Sequence, residues 1–206
     1  MKTTKKGSGF LLLRNPNLKV GENQMKDFSG NSLHNIRSIT AEEGTMLLPD
    51  LVELLHDSVE NGASVGFLLP FSRSSNKAYW ERTLNEIKSG NRTLLVAEKN
   101  GRVVGSVQLE LATKPNALHR AEVQKLLVHS VHRKQGLGRA LMSAVEEVAR
   151  DLGRTLLVLD TLQGDNGERL YAKSGYVRVG EIPGYASLSD GSLHATVLFY
   201  KFVDVT

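Results

Sequence analysis

The stretch VHSVHRKQGLGRALMSAVEEVARDLG, residues 128–153, joins a basic loop with two glycines to a long amphipathic segment. Apolar residues recur there at the spacing of one helix face, from Leu137 to Leu152, and Gly153 ends the pattern. The preceding run, RAEVQKLLVHSV, predicts a strand. A strand, a glycine loop and a helix in this order present free N–H groups and the positive end of the helix dipole. The junction therefore predicts an anion-binding site, with phosphate as the expected ligand.

The residues of the loop support this prediction. Gly136 and Gly138 lack a Cβ atom, so a bulky anion can approach the backbone. Arg133, Lys134 and Arg139 can add charge-assisted hydrogen bonds. A tight strand-to-helix turn with solvated cations is the alternative that the glycines alone leave open. The sequence contains neither the GxxxxGKS/T phosphate loop nor the GxGxxG dinucleotide pattern.

Hydrophobic periodicity and turn residues predict the elements around this junction. RTLLVAEK, Asn100-Gly101 and RVVGSVQLEL form the strongest hairpin signal, because an Asn-Gly pair suits a type I′ turn. HNIRSI predicts a strand, and LLPDLVELLHDSV and NKAYWERTLNEIKSG predict two helices. After the long helix, TLLVLDT predicts a strand buried on both faces, and NGERLYAKSG a short helix. YVRVGEIP and HATVLFYKFV predict the last two strands.

These elements follow the order βααβββαβαββ. Hairpins combined with crossover helices predict an α/β (α+β) fold with one mixed, mostly antiparallel central sheet. We expect about seven strands, flanked by about four helices. The hairpin connections before residue 120 exclude a doubly wound dinucleotide fold.

Composition narrows the class of protein further. We place one domain at residues 34–206, after a polar extension at residues 1–33 that is expected to be flexible or, alternatively, an organelle transit segment. No apolar run approaches the roughly 20 residues of a membrane span, so no membrane association is expected. The absence of cysteine removes a cysteine nucleophile and fits a reducing, cytoplasmic location. A net charge of +4, spread over the chain, favours an enzyme over a nucleic-acid-binding protein.

Two motifs carry a family resemblance. VQKLLVHSVHRKQGLGRALM resembles the central R/Q-x-x-G-x-G/A motif of the GNAT superfamily of acetyl-CoA-dependent N-acetyltransferases, with Arg133, Gly136 and Gly138 at its fixed positions. LYAKSGY resembles the second signature of that family, an aromatic-x-K-x-G-aromatic run. The likeness spans residues 35–203, and one helix and one strand separate the two motifs, as in the family. HRAEVQKL and the C-terminal EIPGYASLSDGSLHATVLFYK are similar to the subgroup around tabtoxin-resistance acetyltransferases.

The resemblance implies that the anion is the pyrophosphate of coenzyme A, with acetyl-CoA as cosubstrate. Backbone N–H groups of the loop would hold the pyrophosphate, and the strand before the loop would pair with the pantetheine arm. A backbone N–H near Val128 would polarise the thioester carbonyl. The cofactor-binding residues expected from the resemblance are Leu127, Val128, His129, Arg133, Lys134, Gln135, Gly136, Leu137, Gly138 and Arg139.

The resemblance also implies the reaction, which is transfer of an acetyl group to a primary amine. Because the chain has no cysteine, direct attack by the amine in a ternary complex is the simpler route. Tyr171 occupies the position of the family's proton donor to the departing thiolate, with packing on the sheet as its structural alternative. Glu122, eleven residues before Arg133, matches a glutamate used as a base in some members, with a solvent-facing carboxylate as its alternative. Glu122 and Gln124 are predicted to share one face of their strand.

The chain departs from the family at Gly164, where many members carry an asparagine seven residues before the tyrosine. His129 and His132 lie three residues apart without an evident third ligand, so no metal is expected. The sequence does not distinguish between a small molecule, an amino acid-like compound and a protein amine as the acceptor of the acetyl group. The oligomeric state is also open, and a homodimer is one arrangement that the resemblance allows. A non-catalytic acyl-CoA-binding module is the second class of function.

Overall fold

The computed structural model describes residues 23–26 and 32–204, which build an open sheet with helices on both faces. The strands are β1 (Asn23–Lys26), β2 (Ser32–Ile39), β3 (Arg92–Lys99), β4 (Arg102–Leu111), β5 (Arg120–Val128), β6 (Leu156–Leu162), β7 (Val177–Ser187) and β8 (Leu193–Phe202). The helices are α1 (Ala41–Met46), α2 (Leu48–Glu60), α3 (Arg73–Lys88), α4 (Leu137–Asp151) and α5 (Asn166–Lys173). This α+β arrangement confirms the predicted fold class.

The sheet runs in the order β1-β2-β3-β4-β5-β6-β8-β7, and neighbouring strands are antiparallel except for β5 and β6. Helix α4 connects that parallel pair and buries Leu141 and Val145 on one face of the sheet. Helices α2 and α3 bury Leu54 and Trp80 in a second core. None of the helices in the described ranges is both long and apolar enough to span a membrane.

Helix α4 is the long helix that the sequence predicts. Gly136 precedes it with a φ of 82°, a left-handed conformation that glycine adopts without steric cost. The predicted apolar face is buried, as Leu141 and Val145 are both 0% exposed. The helix ends at Asp151, and Gly153 follows with a φ of 68°. The glycine loop is therefore fixed between β5 and the start of α4.

The β3–β4 hairpin is confirmed as well. Asn100 and Gly101 have φ values of 52° and 74°, both positive, as a type I′ turn requires. The hairpin register brings Arg92, at the start of β3, opposite Glu110 of β4. That pair lies beside the functional site described below.

The structure adds to the predicted elements and corrects one of them. The sequence pattern does not separate β1 or α1, which are only four and six residues long. Residues 23–26 and 32–33 of the expected extension lie in strands, and its other residues fall outside the described part of the chain. The prediction that β6 is buried on both faces is wrong, because Leu157 and Leu159 are buried whereas Asp160 is exposed. Asp160, Thr161 and Leu162, at the end of β6, line an open cleft.

The sheet divides between β5 and β6. Residues Arg120–Glu122 pair with Leu156–Val158, and no further pairing joins the two strands. However, β5 continues to Val128 and β6 to Leu162. Each strand therefore has an unpaired edge along the divergence, and backbone N–H and C=O groups on those edges are available to a ligand.

Candidate active site

A cleft of about 890 Å³ lies in the gap between β5 and β6. Residues 122–128 of β5 form one wall, and residues 160–162 of β6 form part of the other, with α5 beyond them. The loop after α2, at residues 61–66, also lines the cleft. The glycine loop and the start of α4 complete it, so both sequence motifs meet in one place.

The glycine loop has the conformation of an anion site. Lys134 and Gly136 are left-handed, and Gly136 gives α4 no side-chain cap. The N–H of Ala140 donates to Gly136 O at 3.1 Å, which is the first hydrogen bond of the helix. The N–H groups of residues 137–139 therefore have no partner within the helix and can bind an anion.

Three cations of this loop line the cleft, and its one amide side chain does not. Arg133 Nε donates to Val128 O at 3.1 Å, which holds the guanidinium against β5. Arg139 Nη2 donates to a main-chain carbonyl at the end of α5 at 3.4 Å, and Lys134 also lines the cleft. Gln135 Nε2 instead donates to a carbonyl of the preceding turn at 3.2 Å. The side chain of Gln135 is thus directed away from the expected pyrophosphate.

Gly138 lies at a close approach between two elements. A Cβ atom at this position would lie 3.3 Å from Leu170 Cδ2 of α5 and 3.9 Å from Val128 Cγ2 of β5. Because glycine lacks that atom, the start of α4 stays accessible from the cleft.

The free edge of β5 presents main-chain groups to the cleft. His129 N donates to Val104 O at 3.0 Å, on the side of β4. Successive strand residues direct their N–H groups to opposite edges, so the N–H of Val128 points into the cleft. The side chain of Leu127 is buried, whereas the His129 ring lies outside the cleft with Nδ1 3.7 Å from Asp57 Oδ1.

Tyr171, in the last turn of α5, lines the cleft on the side of β6. Its ring packs 6.0 Å from that of Phe199 and 6.1 Å from that of Tyr176, measured between centroids, and it is 9% exposed. Burial, with Asp165 and Asp160 nearby, raises the pKa of the Tyr171 phenol above its usual 10.0. The phenol therefore stays protonated at neutral pH and can donate a hydrogen bond.

Glu122 lines the cleft from β5 and belongs to a chain of polar side chains. Its Oε1 accepts a hydrogen bond from Gln124 Nε2 at 2.8 Å, which confirms that the two residues share a face. Gln124 Nε2 also donates to Glu110 Oε2 at 3.0 Å, and Gln124 Oε1 accepts from Arg92 Nη1 at 2.9 Å. Because Arg92 occupies the acceptor end of the amide, the donor end is held toward the two carboxylates.

The sequence signature of the Acetyltransferase (GNAT) family matches residues 56–176, more than half of the chain. The chain belongs to this family. The predicted membership of the GNAT superfamily, a class of acetyl-CoA-dependent acyltransferases, is therefore confirmed.

Known GNAT relatives resemble the chain over part of its length. It is 38% identical over 88 residues to N-acetyltransferase 8 of Rattus norvegicus, a match that covers 42% of this chain and 40% of the relative. It is 34% identical over 115 residues to an uncharacterized N-acetyltransferase in the hisH-hisA intergenic region of Azospirillum brasilense, with 55% and 67% covered. The matched part of the chain thus spans about two fifths of the length of the rat relative.

Solved GNAT structures share the fold over most of the chain. The ribosomal-protein-alanine N-acetyltransferase of Brucella melitensis has a TM-score of 0.66 at 25% identity and covers 81% of this chain and 98% of its own. The protein yncA of Salmonella typhimurium, solved with its cofactor acetyl-CoA, has a TM-score of 0.66 at 20% identity, with 84% of this chain and 95% of its own covered.

The residues of this GNAT cleft fit acetyl-CoA. Free N–H groups at residues 137–139, with Arg133 and Lys134 beside them, suit a pyrophosphate. The unpaired edge of β5 suits an extended arm that carries amide groups. Gly138 leaves the approach to the helix open.

Lys125 and Asp160 are among the charged residues that line the GNAT cleft without being singled out by the sequence motifs. Asp160 Oδ2 accepts a hydrogen bond from Thr196 Oγ1 at 2.7 Å. Lys125 has a φ of 48° within β5. The signal that could have found both is a charged residue inside an apolar strand, in KLLV and LLVLDT.

The two histidines beside the glycine loop are ring neighbours, with 6.2 Å between the centroids of His129 and His132. Burial, followed by Lys99 and His129, lowers the pKa of His132. Within residues 23–26 and 32–204, no group of three or more His, Asp or Glu residues is arranged to hold a metal ion.

Proposed function

We propose that the protein transfers the acetyl group of acetyl-CoA to a primary amine, by direct attack of the amine in a ternary complex. The observation that carries this proposal is the free edge of β5, which runs from the glycine loop along the cleft that Tyr171 and Glu122 also line. Acetyl-CoA supplies the acetyl group as a thioester. The amine is a small molecule, an amino acid-like compound or a protein amine, and the expected compartment is the cytoplasm.

The glycine loop and β5 bind and orient the cosubstrate in this proposal. The N–H groups of residues 137–139, with Arg133 and Lys134, hold the pyrophosphate. The N–H of Val128 points into the cleft, where it can donate to the thioester carbonyl and stabilise negative charge on that oxygen. Contacts of His129 and Gln135 are restricted to their main-chain groups, because both side chains are directed elsewhere.

Tyr171 donates a proton, or a hydrogen bond, to the departing thiolate. The position of its ring is supported by packing against Phe199 and Tyr176. Burial raises the pKa of its phenol, so the proton is present at neutral pH. A protonated phenol keeps its O–H group, which can donate to the departing thiolate.

Glu122 accepts the proton of the attacking amine, directly or through water. A lysine-like amine with a pKa near 10.4 costs roughly 4–5 kcal/mol to deprotonate at neutral pH, so a nearby base accelerates attack. The hydrogen bond from Gln124 supports this role because it fixes one carboxylate oxygen and leaves the other free for a proton.

The proposal is tested by incubating the purified protein with acetyl-CoA and a panel of amines while released thiol is measured. Thiol release above the amine-free background, with acetylated amine detected by mass spectrometry, supports the enzyme. Calorimetry with CoA is run in parallel. Tight CoA binding without thiol release for any amine would establish the non-catalytic module instead.

A further inference from the structure

Lys125 is a residue of the cleft that the proposed reaction does not use. Ser106 pairs with Leu127 and Gln108 with Gln124, so β5 has one extra residue opposite β4 and forms a β-bulge at Lys125. Its φ of 48° is left-handed, which a lysine adopts at a cost of about 1–2 kcal/mol. Such strain persists where surrounding structure enforces it and is concentrated at functional sites.

The bulge directs the Lys125 side chain to the side of the cleft formed by the loop after α2. Its Nζ lies 3.8 Å from the position that a Cβ atom would take on Gly66, and Gly66 lines the cleft as well. The three cations of the glycine loop belong to a different segment of the lining, at residues 133–139. Lys125 is therefore a separate positive charge, carried by β5 and located beside the α2–α3 connection.

The ammonium group of Lys125 has unused hydrogen-bonding capacity. Across the described ranges it makes no hydrogen bond and no ion pair, although the residue is half-buried. Burial and then Arg92 lower the pKa of Lys125, whereas Asp160, Glu122 and Glu110 act in the opposite direction. An ammonium has three donors and no acceptor, so burial without a partner is costly unless an anion or water completes it.

The cleft thus carries both signs of charge. Lys125 supplies a cation, and Glu122 and Asp160 supply carboxylates within electrostatic range of it. A zwitterion matches this arrangement, since its ammonium can face the carboxylates while its acid group faces Lys125. A polyamine matches it poorly, because a second cation beside Lys125 is repelled.

We propose that Lys125 binds an acid group of the acceptor, so that the acceptor is an amino acid or another amine that carries a carboxylate or a similar anion. This inference rests on the proposed acetyl transfer to an amine. The group that is acetylated is the amine, which lies toward Glu122, and Lys125 determines which amines are accepted.

The test compares free amino acids with their carboxamides, such as leucine with leucinamide and alanine with alaninamide, by thiol release at one pH. The ratio of kcat/KM for acid over amide is measured for the wild type and for Lys125→Met. Comparing the ratios removes the difference in amine pKa between acid and amide. We expect Lys125→Met to lower the ratio by about tenfold or more, mainly through KM of the acid, because a charge-assisted hydrogen bond is lost.

Two further variants sharpen this test. Lys125→Arg keeps the positive charge, so we expect it to retain more of the acid preference than Lys125→Met does. Lys114→Met removes an exposed lysine outside the cleft, and the ratio should stay at the wild-type value. If amines are acetylated but the acid-over-amide ratio of kcat/KM is the same in wild type and in Lys125→Met, this inference is overturned and the proposed function stands. Absence of thiol release for every amine in the wild type overturns the proposed function as well.

Discussion

Tyr171 and Glu122 are positioned by different kinds of contact. The tyrosine ring is held by packing against Phe199 and Tyr176, which leaves its hydroxyl group without a hydrogen bond to any described residue. The glutamate is held by a hydrogen bond from Gln124. Packing fixes an aromatic plane without consuming its polar group, whereas a flexible carboxylate needs a polar contact to stay in place.

We expect Tyr171→Phe to lower kcat by about 100-fold while the dissociation constant of CoA changes by less than about twofold, because only the proton donor is removed. Burial raises the pKa of Tyr171, so the phenol does not titrate near neutral pH. The pH–rate profile of the variant should therefore be lower but have the same shape. Tyr176→Phe, at a buried tyrosine that does not line the cleft, is the matched control. Equal kcat in Tyr171→Phe and wild type contradicts the assignment.

Glu122→Gln should lower kcat/KM by about 100-fold near neutral pH, because an amide cannot accept the proton of the amine. Activity should recover as the pH approaches the pKa of the free amine, where deprotonation no longer needs a base. Glu110→Gln removes the neighbouring carboxylate, which contacts Gln124 without lining the cleft, and serves as the control. Full pH–rate profiles measure both effects, and an unchanged acid limb in Glu122→Gln rules out the base.

Some of the site residues could be predicted from sequence and others could not. Gly136, Gly138 and Tyr171 belong to contiguous motifs that resemble those of the family, so the resemblance predicts them as site residues. Lys125 and Asp160 reach the cleft through the strand register and the bulge, which depend on pairing with β4 and β8. The charged residue in KLLV and in LLVLDT marks each position as unusual, but nothing local records the register that brings it to the cleft.

At the scale of elements, the junction of β5 and α4 is expected to bind CoA and also requires a residue with a positive φ. Gly136 has a φ of 82°, and a side chain there is strained. We expect Gly136→Ala to lower the free energy of unfolding by about 1 kcal/mol and to weaken CoA binding by about tenfold, since the loop must shift. Urea denaturation and calorimetry measure the two effects.

A control for this variant lies on the same helix. Ser143→Ala changes an exposed position of α4, and we expect neither stability nor CoA affinity to fall. If Gly136→Ala bound CoA as tightly as Ser143→Ala does, the left-handed turn would have no part in binding.

Elements with strong periodicity are those that the sequence predicts well. Helix α4 and the β3–β4 hairpin match their predictions because a wide apolar face and an Asn-Gly turn are local signals. Helix α1 has six residues, too few to show a period, and a capping box of Thr40 and Glu43 defines its start. On the second face of β6, Leu156, Val158 and Leu162 are apolar although only half-buried, which imitates a strand buried on both sides.

At the scale of the whole molecule, one ion pair joins three elements behind the cleft. Lys201 Nζ of β8 donates to Glu146 Oε2 of α4 at 2.7 Å and to Ser174 O at the end of α5 at 2.8 Å. Glu146 is only 6% exposed, and Arg150 approaches it less closely, at 3.8 Å. The contact ties α5, which carries Tyr171, to the central sheet.

We expect Lys201→Met to lower the free energy of unfolding by about 2–4 kcal/mol, because a buried carboxylate loses its main partner. The double variant Lys201→Met/Glu146→Leu should regain most of that loss, since no uncompensated charge remains. Urea denaturation of both variants measures the difference. Equal stability of the single and double variants would show that the charge of Glu146 does not govern the effect.

The short seam between β5 and β6 has a thermodynamic consequence for ligand entry. Only three residue pairs join β5 and β6, so an extended ligand can use backbone hydrogen-bonding groups that no protein strand occupies. Binding of such a ligand then displaces water and breaks no backbone hydrogen bonds between strands. In the proposed binding mode the ligand would contact both parts of the sheet, and saturation at a hundred times its dissociation constant would add about 2.7 kcal/mol to the free energy of unfolding.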